Sequence, residues 1–515
     1  MPDSNSEPEK YTIDEMLDRL KSRGDGEGEL VTRADGTKAI KVRKRKRRTD
    51  QTKDKLKAQN HRLQLIQIAG FIIFMVVMLI IGGVMILYSN SSAFREGLIT
   101  KVQNASGSET KLQQFRMNPA TASAARLDMD WPEAHALNRL EATTLKAKIS
   151  PISFIGKVFQ GQEIVAAKGN LFLTAPQSQD DSAAKATGDK RIKFSRYSVT
   201  SLNVFFSEEM AGDRMIENVE ASYLPTKTSK GGEIRLIKGL LKMKGWPSLA
   251  LDRSYIQVGE RELDIKSMRF QIPLMENQKI PDKGSMDLSG VIRPLDHGAT
   301  HQLMVNLDSF QISHLLGSGL GRFFHGKTIT KPEDTSNTLQ FTPGSGQDAL
   351  LKLNITNALD SRVSLSQFKF MGQLAFALDD RWYELPSFDD EVKISMKKSG
   401  HLVELEEIYF EQRTRMALKG SVTIKDEAGN ISGSLSVGIP EIIIAASKNR
   451  KLEGLFSPVK DGYRWIDLKL SGTSAAPVDN FKELYQADPI TSKPELKTDP
   501  KPEGVDSFDS LIKPE

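Results

Sequence analysis

The sequence predicts an all-β protein: one transmembrane helix near the N-terminus, followed by a long, curved, mostly antiparallel β-meander with few short helices. Two observations predict it. Residues 68–88 carry no charged side chain and are long enough to cross a hydrocarbon core of about 30 Å. From residue 109 onward, short segments alternate between apolar and polar residues and are separated by Gly, Pro, Asn and Asp. This period of two is typical of strands with one covered face.

The segment Ile68 to Tyr88 reads IAGFIIFMVVMLIIGGVMILY and has no polar side, unlike the amphipathic helices of soluble domains. Residues 38–62 contain twelve Lys or Arg and only two acids, whereas residues 89–112 are nearly balanced. Basic flanks stay in the cytoplasm, so we expect residues 1–67 inside and the 427 residues after Tyr88 outside. A cleaved signal peptide would have a shorter apolar stretch and a basic region nearer the start. An uncleaved signal anchor is therefore favoured.

Charge and cysteine content narrow the class of protein further. The net charge of the 515 residues is +5, but the basic stretch before the helix more than accounts for it, so a nucleic-acid partner gets no support. The chain has no Cys, which excludes thiol chemistry and cysteine metal sites. A large outside region without disulfides indicates the periplasmic side of a bacterial inner membrane.

The cytoplasmic segment is expected to be mostly disordered, with one short helix over residues 12–21. Thr12 and Glu15 form a capping box. Its apolar face would be a partner-binding helix for a cytoplasmic or envelope protein, although a weak helix without a role fits equally well. A basic run follows, which either binds anionic lipid headgroups or only sets topology. The helix face is Ile13, Met16, Leu17 and Leu20, and the basic run is Lys41, Arg43, Lys44, Arg45, Lys46, Arg47 and Arg48.

The outside region is predicted to contain a helix at 93–102, ended near Gly107, and then strands. Polar residues 328–336 favour a boundary between a first β-rich region, 89–327, and a second, 337–482. Residues 483–515, with prolines among charges, are expected to be a disordered tail. The predicted strands include 140–149, 193–199, 201–205, 304–308, 351–355, 392–396, 402–410, 416–424, 431–437 and 465–470.

A short sequence motif, called a glycine phrase below, recurs at strand ends: an apolar residue, one further residue, then glycine. Glycine at such places is typical of bulges and tight bends in a curving sheet. The phrase occurs at Met243-Lys244-Gly245, Leu288-Ser289-Gly290, Leu418-Lys419-Gly420, Ile431-Ser432-Gly433 and Leu470-Ser471-Gly472.

Three further phrases resemble the AsmA-like proteins of bacterial envelopes, the group that includes TamB-type proteins. They are Gly284 to Gly290, Leu307 to Leu316, and the closing Leu468 to Pro477 with its Gly-Thr…Pro exit. The resemblance is loose and covers about residues 92–481. It implies a taco- or groove-shaped sheet with an apolar inner groove, and a role in envelope biogenesis or in phospholipid transport and homeostasis.

The sequence contains no convincing catalytic motif. Gly321 to Thr328 matches the pattern of a phosphate-binding P-loop, but Ile329 to Pro332 cannot open the helix that such a loop needs. Its two phenylalanines instead suggest a plug at the end of the sheet. His297 and His301 lie in a turn without a third metal ligand. We expect no enzyme activity, cofactor or metal.

Two functions from different classes remain. One is a lipid-handling envelope protein that binds membrane lipid in an apolar groove. The other is a single-pass scaffold or adaptor, in which the cytoplasmic helix recruits a partner and the β region is structural. A continuous apolar groove favours the first, and an inner face closed by packed side chains favours the second.

Overall fold

The computed structural model describes residues 13–22, 29–41, 53–132, 137–150, 158–174, 192–207, 210–212, 214–226, 231–259, 262–274, 282–294, 298–342, 347–425 and 429–487. Its internal contacts divide the chain into two units, Met1–Ile81 and Gly82–Glu515.

The first unit contains a short helix, a hairpin and most of one long helix. These are α1 (Ile13–Ser22), β1 (Glu29–Thr32), β2 (Lys38–Lys41) and α2 (Lys53–Ser89). Within α2, Ile68–Ser89 is long and apolar enough to cross a membrane. None of its side chains is covered by protein over the most apolar window, and Leu79 is 70% exposed. A soluble core helix would bury these side chains, so the exposure fits a helix surrounded by lipid.

The second unit contains most of the strands and the remaining helices. Its helices are α3 (Ser92–Ser106), α4 (Ile312–Leu320), α5 (Lys369–Leu378), α6 (Glu441–Ala446), α7 (Lys451–Leu455) and α8 (Phe481–Gln486), with a 3-10 turn at Arg381–Glu384. Its strands are β3 (Glu109–Gln113), β4 (Arg116–Met117), β5 (Thr121–Asp130), β6 (Leu137–Ile149), β7 (Phe159–Leu173), β8 (Ile192–Phe205), β9 (Arg214–Pro225), β10 (Gly232–Ile237), β11 (Leu240–Met243), β12 (Leu249–Val258), β13 (Leu263–Gln271), β14 (Ser285–Ile292), β15 (His301–Asp308), β16 (Phe310–Gln311), β17 (Phe324–His325), β18 (Lys327–Thr330), β19 (Thr338–Phe341), β20 (Leu350–Asn357), β21 (Val363–Leu365), β22 (Ser387–Phe388), β23 (Glu391–Ser399), β24 (Leu402–Gln412), β25 (Met416–Lys425), β26 (Asn430–Pro440), β27 (Val459–Lys460), β28 (Tyr463–Gly472) and β29 (Pro477–Asp479).

Nearly all these strands join one sheet that follows the chain. The neighbours are antiparallel throughout, except that β7 and β8 are parallel. Several strands are interrupted: β3 and β4 both pair with β5, β10 and β11 both lie between β9 and β12, and β18 and β19 both pair with β20. A small second sheet holds β17, β21 and β22.

The interruptions in the first strands line up across the sheet. Gln114 between β3 and β4, Thr144 in β6, Asn218 in β9 and Lys238 between β10 and β11 have positive φ of 50°, 54°, 55° and 60°, and the register breaks in the strands between them at the same level. Each adds a local bend, because a left-handed residue interrupts the extended ladder. On either side of Thr144 the inward residues are consequently three apart rather than two, namely Ala142 and Leu145. The aligned bends form a crease across the sheet.

Twist accounts for a second feature, the contact between distant turns. From β12 to β23 there are six strand-to-strand steps, and a rotation of 20–25° at each step gives roughly 120–150° in total. Opposite strand ends can then meet. A Cβ on Gly245, in the β11–β12 turn, would lie 2.4 Å from the carbonyl carbon of Gly400 in the β23–β24 turn. Nearby, Arg214 pairs with Asp348 at 3.7 Å.

The main core lies on the inner face of the later strands and is filled by helices. α4 buries Ile312, Leu315, Leu316 and Leu320, and α5 adds a second apolar helix. Between them Phe323 and Phe324 are completely buried, and Phe323 stacks on Phe368 at 4.8 Å between ring centres. The predicted aromatic plug is therefore present as part of this core. The predicted β-rich fold is confirmed. The second half of the sheet, however, is not an open groove, because helices fill its inner face.

The expected strands all lie inside observed ones. The helix expected at 93–102 is also present, as α3 with Gly107 as its left-handed C-cap. Three differences appear. Residues 328–336 do not separate two sheets, because β18 takes up the first three of them, β19 follows, and both strands pair with β20. The buried helix α5 was not foreseen. Residues 483–486, expected in the tail, are helical in α8, where Phe481 is buried and stacks on Tyr485.

Candidate functional site: an apolar face on the first strands

One face of strands β5 to β10 is lined by apolar side chains in continuous cross-strand rows. Each row runs from strand to strand through direct register partners, and each contains only apolar residues, glycine or tyrosine. Because Val199 and Ala221 pack against the same cluster as Leu202 and Val219, the rows on both sides of the crease lie on one face. We call it the apolar face; its rows are Ala122–Ala147–Ile164–Tyr197–Tyr223–Ile234, Ala124–Leu145–Ala166–Val199–Ala221–Leu236, Leu127–Ala142–Gly169–Leu202–Val219 and Met129–Leu140–Leu171–Val204–Ile216.

The opposite face of the same strands is mainly polar and hydrogen-bonded, apart from a small buried cluster of Phe172, Phe205 and Met215 at one end. The Asn170 side-chain amide donates to Glu141 at 3.5 Å, and the Asn203 amide donates to Asn170 at 3.1 Å. Asn203 in turn accepts from the backbone N–H of Asn218 at 3.0 Å. The two faces therefore differ sharply, as expected for a sheet with one side in water.

Coverage of the apolar face is incomplete in the described part of the chain. Leu145, Ile164, Val199 and Leu236 are only partly buried, whereas equivalent residues of β20 to β28 are almost completely buried. The helix α3 packs on these first strands, through Leu98 near Ala147 and Ile149. The apolar face is thus partly open, whereas the inner face of the later strands is covered by helices.

At the border with the filled half lies a buried lysine. Lys398 of β23 is 2% exposed, and its register partners are the core residues Leu351 and Val403. Its Nζ donates to the carbonyl oxygen of Gly245 at 3.0 Å and lies 5.4 Å from the ring centre of Trp246. Burial lowers the pKa of Lys398 to about 8, because the charged form is poorly solvated there.

A histidine also binds the β11–β12 turn, at its other end. His314 of α4 has its Nε2 3.0 Å from the carbonyl oxygen of Ser248, so this nitrogen is the donor. Burial lowers the pKa of His314, which favours the neutral ring at neutral pH. Lys398 and His314 together hold residues 245–248 across the sheet.

The first strands are hydrogen-bonded directly to the end of the apolar helix α2, through Asn90. The Asn90 side chain accepts from the N–H of Met117 at 2.9 Å and donates to its carbonyl at 2.8 Å, as a neighbouring strand would. The same amide donates to the carbonyl of Ile86 at 2.8 Å, in the last turn of α2. Beside this junction lies a cavity of about 650 Å³, lined by Asn90, Phe115, Arg116, Met117, Asn118, Thr121 and Ser123.

The residues singled out from sequence lie mostly elsewhere. The predicted partner helix is α1, in which Ile13 is 79% exposed and Leu17 is partly exposed. Lys41 ends β2. The basic residues Arg43, Lys44, Arg45, Lys46, Arg47 and Arg48 and the side chains of Met16 and Leu20 lie outside the described residues.

The P-loop-like segment does not form a phosphate loop. A strand, β18, follows it instead of a helix, and the Thr328 hydroxyl is fully buried and donates to the carbonyl of Phe310 at 3.0 Å. His297 lies outside the described residues, while His301 is buried at the start of β15. The residues described in the structure contain no group of three His, Asp or Glu that could hold a metal ion.

Sequence reasoning missed Asn90, Arg116 and Lys398. The position of Asn90, directly after the apolar segment, could have indicated its role from sequence. The burial of Lys398 could not, because it depends on the twist of the sheet. Searches against protein-family models, curated proteins and solved structures find no match to this chain.

Proposed function

We propose that this chain is a single-pass protein of a bacterial inner membrane that handles phospholipid on the apolar face of strands β5 to β10, as part of envelope biogenesis or lipid homeostasis. Its N-terminus lies in the cytoplasm and its β region in the periplasm. Its work is binding, with no catalytic residue, cofactor or metal. The AsmA-like resemblance in the sequence points the same way.

The observation that supports this most is the unbroken apolar face with partly exposed side chains, on strands tied to the membrane helix. Leu145, Ile164, Val199 and Leu236 of this face are only partly buried, and apolar area left in water costs roughly 25 cal/mol for each Å². Such surfaces usually mark a binding site. Acyl chains need no specific hydrogen bonds, so rows without a single charged side chain suit them.

The alternative is a bitopic scaffold or adaptor. It is favoured by the second half of the sheet, whose inner face is filled by α4, α5 and the Phe323–Phe324 pair. In that case α1 would recruit a partner in the cytoplasm. Removing residues 1–37 separates the two functions. If a strain that lacks the protein has a lipid defect, and the chain without residues 1–37 corrects that defect, the adaptor function is contradicted.

Ile164 and Val165 provide a matched test of the lipid proposal. Both are branched residues of β7 with partial exposure, but Ile164 lies on the apolar face between Ala147 and Tyr197. Val165 points to the polar face, and its register partners are Lys146 and Ser198. The full chain, purified from membranes as wild type, Ile164→Asp and Val165→Asp, is extracted and its phospholipid is counted per chain by mass spectrometry.

We expect Ile164→Asp to retain about tenfold less phospholipid per chain than wild type, and Val165→Asp to retain as much as wild type. A carboxylate against acyl chains costs at least about 1.4 kcal/mol, which corresponds to that factor. Lipid around the membrane helix is common to all three proteins and cancels in the comparison. Thermal unfolding confirms that both variants are folded. Equal lipid in both variants would refute lipid binding at this face.

A further inference from the structure

The cavity beside Asn90 is distinct from the apolar face. Arg116 of β4 pairs in register with Ser123 of β5, and these two residues share a side of the strands with Asn118 and Thr121. Their inward neighbours Met117 and Ala122 are buried under α3. The polar side chains of the lining therefore lie on the side of the first hairpin opposite the apolar rows, while Phe115 and Met117 of the other side complete its edge.

Its position along the membrane normal follows from the Asn90 hydrogen bonds. Ile86 belongs to the last turn of the apolar segment Ile68–Ser89, and the Asn90 amide joins its carbonyl to β4 through contacts of 2.8 Å each. The headgroup layer adds several Å to each side of the hydrocarbon core. When Ile68–Ser89 spans a bilayer, the cavity consequently lies at the level of the phosphates.

The lining offers hydrogen-bond donors and one positive charge. Arg116 is exposed and makes no ion pair with the described residues, and no acid lines the cavity. The side-chain oxygen Oδ1 of Asn118 already accepts from the N–H groups of Ala120 and Thr121 and from the Thr121 hydroxyl, so its side-chain NH₂ group remains available as a donor. Asn90 is different, because its amide and carbonyl are both used in fixing β4; it positions the cavity and does not bind.

We propose that this cavity binds the phosphate of a membrane phospholipid, with Arg116 as its charged ligand and Asn118 and Ser123 as supporting donors. A guanidinium and a phosphate form charge-assisted, often paired hydrogen bonds. The site deepens the proposed function by naming where a lipid is held before or after its chains meet the apolar face. It rests on that function and on the membrane-spanning role of α2.

Arg126 is the matched control for Arg116. It lies on the adjoining strand, but it is already neutralised by Asp128, to which its Nε donates at 2.7 Å. The full chain in detergent is titrated with phosphatidylglycerol or with diacylglycerol of the same acyl chains, and bound lipid is measured by native mass spectrometry. The proteins compared are wild type, Arg116→Gln and Arg126→Gln.

We expect Arg116→Gln to weaken phosphatidylglycerol binding about tenfold, the factor for losing one charge-assisted hydrogen bond, and to leave diacylglycerol unchanged. Arg126→Gln should bind both lipids as wild type does. Equal phosphatidylglycerol binding by Arg116→Gln and wild type would overturn the site. Displacement of phosphatidylglycerol by inorganic phosphate at the same concentration as the lipid would instead assign the site to free phosphate and overturn the lipid assignment. Ile164→Asp separates this proposal from the proposed function, since the Arg116 effect should persist in that background even if the apolar face binds nothing.

Discussion

Replacing Lys398 by Met should stabilise the folded protein at neutral pH. The ordinary lysine pKa of 10.5 falls to about 8 in the folded state, a difference that corresponds to roughly 3 kcal/mol of unfavourable charge burial. Methionine removes this cost and fills a similar volume. It also leaves the Gly245 carbonyl without its donor, which destabilises the variant by about 1–2 kcal/mol. The net expectation is about 1–2 kcal/mol in favour of Lys398→Met at pH 7.

The pH dependence identifies the cause. Between pH 8 and 10.5 the unfolded chain keeps the lysine proton that the folded chain has released, so the wild-type free energy of unfolding rises with pH. The advantage of Lys398→Met should accordingly be constant below pH 8 and should shrink as pH approaches 10.5. Lys397→Met, at the exposed neighbour that pairs with Glu406, should show no such trend.

Urea unfolding of the full chain in detergent, followed by tryptophan fluorescence at several pH values, measures these differences. A gap between wild type and Lys398→Met that does not change between pH 7 and 10.5 would refute the assignment of a charged, poorly solvated lysine. A destabilised variant with the wild-type pH slope would refute it as well.

Two further substitutions test the tertiary contacts by the same unfolding assay. Gly245→Ala should destabilise by more than about 1 kcal/mol, because φ is +71° and the new Cβ would lie 2.4 Å from the Gly400 backbone. Gly454→Ala in α7, with nothing within 4 Å, should be neutral or slightly stabilising, and similar losses for both would contradict the turn contact. Phe324→Ala should cost about 3–5 kcal/mol as a fully buried aromatic. Phe376→Ala, 87% exposed, should change stability by less than about 0.5 kcal/mol, and equal effects of the two would argue against the filled core.

Much of the sheet could be predicted from sequence because its strands have one apolar and one polar side. Segments such as 304–308 and 392–396 alternate cleanly, and both lie in strands whose alternate residues are buried. The glycine phrases also had a physical basis. Gly290 and Gly420 have φ of 143° and 153°, and the β24–β25 register shifts opposite Gly420.

The rest depends on contacts that sequence periodicity does not report. The helix α5 carries apolar residues at helical spacing, with Phe370, Met371, Leu374 and Ala375 all buried, but Gly372 and its short length weaken the pattern. The polar segment 328–336 resembled a boundary between two β regions, yet it holds the end of β18 and the loop to β19, and both strands pair with β20. Lys398 sits beside a second lysine at a strand end, where a solvated side chain is the usual outcome. Only the accumulated twist of the sheet brings Gly245 over it.

The most direct test of lipid binding places a photo-crosslinking amino acid at Ile164 or at Val165 in the full chain, within living bacterial membranes. Adjacent positions on opposite faces share expression, anchoring and strand, so they differ only in the surface they report. The account predicts that irradiation attaches phospholipid at position 164 and little at position 165, as measured by mass spectrometry of the purified chain. Equal labelling at the two positions, or protein adducts alone at position 164, would contradict it.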